Sequence, residues 1–249
     1  MKKLHTIAIV AVIALSALTS KVNAQTSLTN VVVKYPWANS VTAGLTLTRG
    51  NSQSLLASIK YLATKKTPVN EFDLDADGTY GSSSGIANNE TIHGSAQWNY
   101  LVSDRFYGYM KADGLHDGIA DIKYRFTITA GAGYYFIKSP QTTLAGEVGP
   151  GVVTERLEDT DDNFATLRLA ERFEHKFISS NARIYESVEL LPQVNKLSNY
   201  LVNSEVGAES AISKSISLSI CLDDYYNSEP ASMRKRNDIK LVSGVTYNF

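Results

Sequence analysis

The chain is poor in the features that announce most protein classes. It holds a single cysteine, Cys221, so no intrachain disulfide can form. Without a sequence partner, that thiol reads as a small strand residue rather than a reactive group. Basic residues do not exceed acidic ones, 24 against 25, and a chain without a basic surplus has no electrostatic footprint for nucleic acid. Beyond residue 24 no apolar run approaches the ~20 residues of a membrane-spanning helix, which excludes a helical membrane protein. His116 and His175 lack a second ligand at helical or strand spacing, so neither a zinc site nor any cofactor is expected.

The one long apolar run stands at the start. Lys2 and Lys3 precede an apolar stretch from Ile7 to Leu18, and Val22-Asn23-Ala24 carries small residues where a signal peptidase cuts. Residues 1–24 therefore read as a signal peptide, and the absence of cysteine nearby excludes a lipid-anchored product. Cleavage removes Lys2, Lys3 and Lys21 from the 24 basic residues and none of the 25 acidic ones, taking the formal charge from −1 to −4. The rest suits one domain without a linker. Residues 25–40, with Pro36-Trp37 as punctuation, read as a periplasmic lead-in, and 41–249 as the folded body.

That body alternates. The last stretch sets Ile239, Leu241, Ser243, Val245, Tyr247 and Phe249 against Asp238, Lys240, Gly244, Thr246 and Asn248, a period of two and hence a strand. One face suits hydrocarbon and the other suits water or counter-charge. Asn70 to Tyr80 is as regular: Phe72, Leu74, Ala76, Gly78 and Tyr80 oppose Glu71, Asp73, Asp75, Asp77 and Thr79. Its two rings lie eight residues apart, about 27 Å along a strand at ~3.4 Å per residue, close to the ~25 Å apolar band that aromatic girdles bracket once tilt is allowed for. Asp121 to Ile137 puts Ile122, Tyr124, Phe126 and Ile128 opposite Lys123, Arg125, Thr127 and Thr129. A lysine or arginine facing mid-bilayer lipid costs ~2–4 kcal/mol, which turns Lys123 and Arg125 inward.

Repeating this reading predicts an all-β fold, an up-and-down antiparallel transmembrane β-barrel of about twelve strands. Glu171 and Glu186 fall on outward faces and leave the count open by two. Many segments exceed the ~5–6 residues of soluble strands. Longer connections, Gly81 to Asn89, Leu157 to Asn163 and Asn227 to Arg236, follow odd strands, with tight turns after even ones. A mean hydropathy of −0.14 does not argue against a barrel, because polar lumen residues offset apolar outer ones. A secreted lipocalin-like binding barrel is the structural alternative.

Trp37 to Ser52 (W-A-N-S-V-T-A-G-L-T-L-T-R-G-N-S) resembles the opening of the DUF481 family, the YdiY-like salt-induced outer-membrane proteins. Tyr124-Arg125, Gly131-Ala132-Gly133-Tyr134, Glu147-Val148-Gly149-Pro150-Gly151 and Tyr226-Asn227-Ser228-Glu229-Pro230 continue the match in order and spacing. The resemblance implies a porin-like barrel in the outer membrane of a Gram-negative envelope and supplies no catalytic or binding residue. The ending is also similar to the C-terminal assembly signal of such proteins, with Gly244, Tyr247 and Phe249, departing from it at Val242.

Glu71, Asp73, Asp75 and Asp77 form a candidate lumen acidic row, and Lys123, Arg125, Arg168, Arg172, Lys176 and Lys240 are candidate lumen bases. Paired, they would brace the lumen; unpaired, the acids would line a cation-preferring pore. Asp73 to Gly78 opens like a calcium loop, but Ser84 stands where the twelfth-position glutamate belongs and the acids sit in a straight strand. Gly81-Ser82-Ser83-Ser84-Gly85 fits a nucleophile-elbow pattern without the helix that chemistry needs. His93 and Ser95 share a face and are similar to the pair in outer-membrane phospholipase A, the basis of an alternative hydrolase reading. The expected function is non-enzymatic: passage of small ions or solutes, or envelope integrity under osmotic salt stress, the stress element coming from the family name alone. Expected partners are outer-membrane lipid and the barrel-assembly machinery, with the chain a monomer.

Overall fold

The computed structural model describes residues 35–48 and 54–249. The segment read as a signal peptide, residues 25–34 of the lead-in and the turn Arg49-Gly50-Asn51-Ser52 lie outside the described residues. Twelve antiparallel strands close into one barrel in strict chain order. They are β1 (Ala38–Thr48), β2 (Ser54–Lys66), β3 (Asn70–Ser83), β4 (Ile86–Leu101), β5 (Phe106–Asp117), β6 (Ile122–Lys138), β7 (Thr142–Leu157), β8 (Thr160–Phe177), β9 (Ala182–Gln193), β10 (Lys196–Ala211), β11 (Ile216–Asn227) and β12 (Asn237–Asn248). Every connection is up-and-down, so connections after odd strands share an upper rim and those after even strands share a lower rim with the carboxy-terminus.

Alternation sorts side chains as the physics of a two-solvent sheet requires. Ile92, Phe126, Ile128, Leu241 and Val245 are exposed on the outer face, while Asn99, Thr129, Glu147 and Arg168 on the inner face are buried. Rings gather near both ends of the outer face, Phe72, Tyr100, Tyr134 and Tyr247 below, and Tyr80 and Phe126 above, the positions where amphipathic rings meet headgroups. Glu171 and Glu186 do stand on the outer faces of β8 and β9, each within a few residues of the lower turn that joins those strands. Near that boundary a carboxylate costs far less than at the midplane, and the count is twelve.

The strands run longer than the hydropathy pattern indicates. Gly81 to Asn89, expected as a loop, is mostly hairpin: β3 reaches Ser83, β4 begins at Ile86, and Ser84 and Gly85 take left-handed backbone. Leu157 to Asn163 likewise shrinks to the turn at Glu158 and Asp159. Above the apolar belt both faces of a strand are wet, so pairing continues where hydrophobic alternation has stopped. β1 begins at Ala38, inside the stretch read as lead-in. The facing of one residue is also corrected. Ile122, expected to face outward, is 7% exposed on the inner side, because a bulge between Ile122 and Tyr124 shifts the register against β7. One extra residue reverses the facing of what precedes it.

Two tyrosines lie flat over glycines of the next strand. Tyr107 pairs with Gly133, where an added Cβ would fall 2.2 Å from the ring, and Tyr185 repeats this over Gly207. Closure is least extensive at the β1–β12 seam. Register pairs run from Ser40 to Ala43 of β1 against Asn248 to Val245 of β12, whereas β1 pairs with β2 along its whole length. Gly44 and Gly244 mark the end of the paired section, each so close to the opposite backbone that a Cβ would meet a carbonyl oxygen at 2.6 or 2.5 Å.

Two outcomes follow from this packing. Gly133→Val, which drives a branched side chain into the Tyr107 ring, is expected to lower unfolding free energy by ~1–3 kcal/mol, read from urea unfolding in detergent. Amides of β1 from Gly44 to Thr48 are expected to exchange hydrogen faster than those of β6 in the folded barrel; equal protection would contradict an open upper seam.

Candidate functional site

The lumen is the candidate site, because the inward faces carry most of the chain's buried charge. Its centre is Glu147, set among the glycines and valines of β7 and 5% exposed. Glu147 accepts hydrogen bonds from Arg168 Nη1 at 2.6 Å, Arg172 Nη2 at 2.8 Å, Tyr107 Oη at 2.7 Å and Gln97 Nε2 at 2.8 Å. Arg168 also donates to Glu189, which accepts from Lys111 Nζ at 2.9 Å. The Arg168 guanidinium lies over the Tyr109 ring, 4.9 Å from its centroid. Hydrogen bonds between charged partners are about twice as strong as neutral ones, and here they are sheltered from water.

Arg168 and Arg172 on β8 meet Glu147 on adjacent β7, and Arg168 meets Glu189 on adjacent β9, but other contacts join strands that are not neighbours. Gln97 on β4 reaches β7, Lys111 on β5 reaches β9, and Arg172 on β8 reaches Asp73 on β3 at 3.5 Å. Higher up, Lys60 on β2 bonds Glu205 on β10 at 2.8 Å, and Lys240 on β12 bonds Thr91 on β4 at 3.0 Å. Such contacts can be made only across the interior, so the charges act as chords. Four side chains of the central layer, Asn99, Tyr107, Thr129 and Thr166, are less than 2% exposed.

The four acids of the row all point inward, and each has a different partner. Glu71 accepts from Tyr135 and lies 3.7 Å from Lys138. Asp73 meets Arg172, Asp75 accepts from Ser95, and Asp77 lies 2.9 Å from His93 Nδ1. Of the six bases, only Arg172 reaches the row. Arg125 pairs with Glu155 at 2.5 Å, Arg168 joins the Glu147 centre, and Lys176 sits half-exposed at the lower rim on Glu174. Lys123 is not a lumen residue: it is exposed in the β6 bulge, with its carbonyl accepting from His116. The bulge that turned Ile122 inward is the reason.

His93 and Ser95 share the inner face of β4, yet they do not form a catalytic couple. His93 Nε2 is 2.8 Å from Asp113 and its Nδ1 faces Asp77, while the Ser95 hydroxyl donates to Asp75. No imidazole nitrogen is left to accept a proton from the serine. Asp75, Asp77 and His93 lie close enough to share an ion, as do Glu205, Cys221 and Asp223, but their hydrogen bonds already satisfy most of these atoms. Of the assembly-signal residues, Tyr247 and Phe249 stack at 5.7 Å on the outer face of β12 beside the lower rim.

Reading the sequence missed Glu147, Glu189, Lys111, Tyr107 and Tyr135. Their parity was available, and an isolated glutamate among glycines and valines in β7 was the one local signal. Which chord each would join depends on the closed three-dimensional ring. Glu147→Leu, which takes one carboxylate partner from buried Arg168 and half-exposed Arg172 and leaves them Glu189 and Asp73, is expected to cost ~3 kcal/mol. Glu171→Gln on the outer face should stay within about 0.5 kcal/mol in the same urea titration.

Solved structures share this architecture at low identity. The NanC porin aligns with a TM-score of 0.53 at 8% identity, covering 85% of this chain and 100% of that one. The KdgM porin gives 0.48 at 10%, covering 86% and 99%, and an outer membrane channel from Pseudomonas putida F1 gives 0.49 at 9%, covering 91% and 100%. At these identities the likeness concerns the fold, a barrel of the outer-membrane type. No curated protein sequence matches the chain. The family model described as "Protein of unknown function, DUF481" matches residues 41–249, nearly all of the closed barrel, and the chain belongs to that family.

Proposed function

We propose that this barrel resides in the outer membrane and passes small ions or solutes through a lumen held shut at rest by its own charge pairs, without catalysis. The observation that supports this reading is the set of polar contacts between non-adjacent strands, Lys111–Glu189, Arg172–Asp73, Gln97–Glu147 and Lys60–Glu205. A lumen filled by apolar side chains would be a permanent core. One filled by ion pairs can part and admit water, because every group it exposes is hydrated. The half-exposed chords, Lys60–Glu205 and Arg172–Asp73, would be screened by rising salt well before the buried Arg168–Glu147 pair, which gives a physical route from ionic strength to opening. The terminal Gly244, Tyr247 and Phe249 fit recognition by the barrel-assembly machinery, with outer-membrane lipid as the surrounding solvent and the monomer as the working unit. Nothing in the geometry favours the hydrolase alternative, since His93 and Ser95 are each committed to aspartates.

Single-channel recording in planar bilayers tests this. The unmodified chain should give rare, small openings that become more frequent with salt. The paired removal Arg172→Ala with Asp73→Ala should raise mean conductance several-fold. Silence of both proteins at all voltages would replace passage with a purely bracing role.

A further inference from the structure

The connection between β11 and β12, residues 228–236, is the longest at the upper rim, and it folds over the barrel mouth. Arg234 bonds Asp121 at the β5–β6 turn at 2.5 Å, and the Ser232 amide donates to Glu158 at the β7–β8 turn at 2.6 Å. Within the connection itself, Ser228 and Ala231 are buried. Below this strap lies a cavity of about 40 Å³, room for about three waters at roughly 10–15 Å³ each.

The charge on its wall does not balance. Five cations line it: Arg125, Arg234, Lys235, Arg236 and Lys240. Arg234 is spent on Asp121, and Arg125 binds Glu155 through Nε alone. Arg125 is 8% exposed and its Nη2 has no hydrogen-bond partner among the described residues, a costly state for a buried charged group. Lys240 uses one of its three donors, on Thr91, and lies 5.4 Å from the centroid of the Tyr225 ring. Lys235 and Arg236 form no ion pair among the described residues. Against these stand three carboxylates: Asp77 beside His93, Asp117, which caps the amides of Ile119 and Ala120 and keeps its charge, and Asp238.

We propose that this cavity binds one small oxyanion, a phosphate or carboxylate, with Arg125 and Lys240 as its principal donors and the 228–236 strap as its cover. The volume decides the class: it admits a tetrahedral or planar oxyanion and is far too small for a sugar or an acyl chain. The wall is built from inward faces, so the occupant is a solute and not a membrane lipid. Bidentate donation from a guanidinium is the geometry that oxyanions favour. The site does not depend on whether the lumen conducts.

Calorimetric titration of the folded barrel in a zwitterionic detergent, with inorganic phosphate and with acetate at ionic strength fixed by sodium chloride, tests it. A saturable heat with at least one of them is expected, with affinity reduced at least tenfold in Lys240→Met and unchanged in Lys214→Met on the lower rim. Because Arg125→Met alone leaves Glu155 buried without its partner and could fail to fold, Arg125→Met with Glu155→Leu serves as the second variant, with the same expected loss. No saturable heat in the unmodified chain, equal heat from chloride alone, or undiminished affinity in Lys240→Met and the double variant would overturn the site.

Discussion

A sheet with lipid on one side cannot leave a backbone amide or carbonyl unpaired, since each costs several kcal/mol in hydrocarbon. Strands meet that demand among the described residues except along the upper part of the β1–β12 seam, beyond Ala43 and Val245. Twelve of them, each bonded to its chain neighbours, close only if β12 returns to β1. The return is made where it matters most for the carboxy-terminus, between Ser40–Ala43 and Val245–Asn248, with Asn39 and Phe249 exchanging backbone bonds at the lower rim. Gly44 and Gly244 allow the two backbones to approach there.

Closing twelve strands creates a second problem. The interior of such a ring is wider than apolar side chains from facing walls can fill, as smaller barrels manage to do. Long charged side chains reach further, and they can be afforded inside because they find counter-charges on the adjacent strand, as Arg168 and Arg125 do, or on a distant wall, as Lys111 and Lys60 do. Breaking one partner of such a pair is costly, while the intact pair adds less than its Coulomb energy suggests because both ions were first desolvated. The network around Glu147 is therefore better understood as a shape-setting device than as a large source of stability. Gln97, Lys111, Arg168 and Arg172 hold walls at fixed separations.

The division between outer and inner faces was legible because period two is written directly in the order of residues. Asp238 to Phe249 and Asn70 to Tyr80 could be sorted without coordinates, and the structure keeps that sorting. Ile122 and Lys123 could not. A bulge is one extra residue whose signature, a register slip against β7, exists only in the pairing. The strand ends at Gly81 to Asn89 were misread for a different reason: hydropathy reports lipid contact, and strands that rise above the lipid keep their hydrogen bonds while losing their apolar face. The partners of the acidic row were out of reach because Asp73 and Arg172 are 99 residues apart and meet only once the four intervening strands, β4 to β7, have curved around the lumen.

The same geometry makes the proposed closure of the lumen compatible with the proposed opening. The chords differ in how wet they are: the Arg168 and Glu147 side chains are 4% and 1% exposed, while those of Lys60 and Glu205 are 31% and 27%. Screening acts on the second kind and barely on the first, so any opening should begin at the wetter chords and reach the Glu147 layer last. Lys240 and Arg125 lie at the wet upper end, under the one connection long enough to cross the mouth. The donors left over there, on Lys240 and Arg125, are what the proposed oxyanion site would use, and an incoming solute would meet them before it meets the central layer.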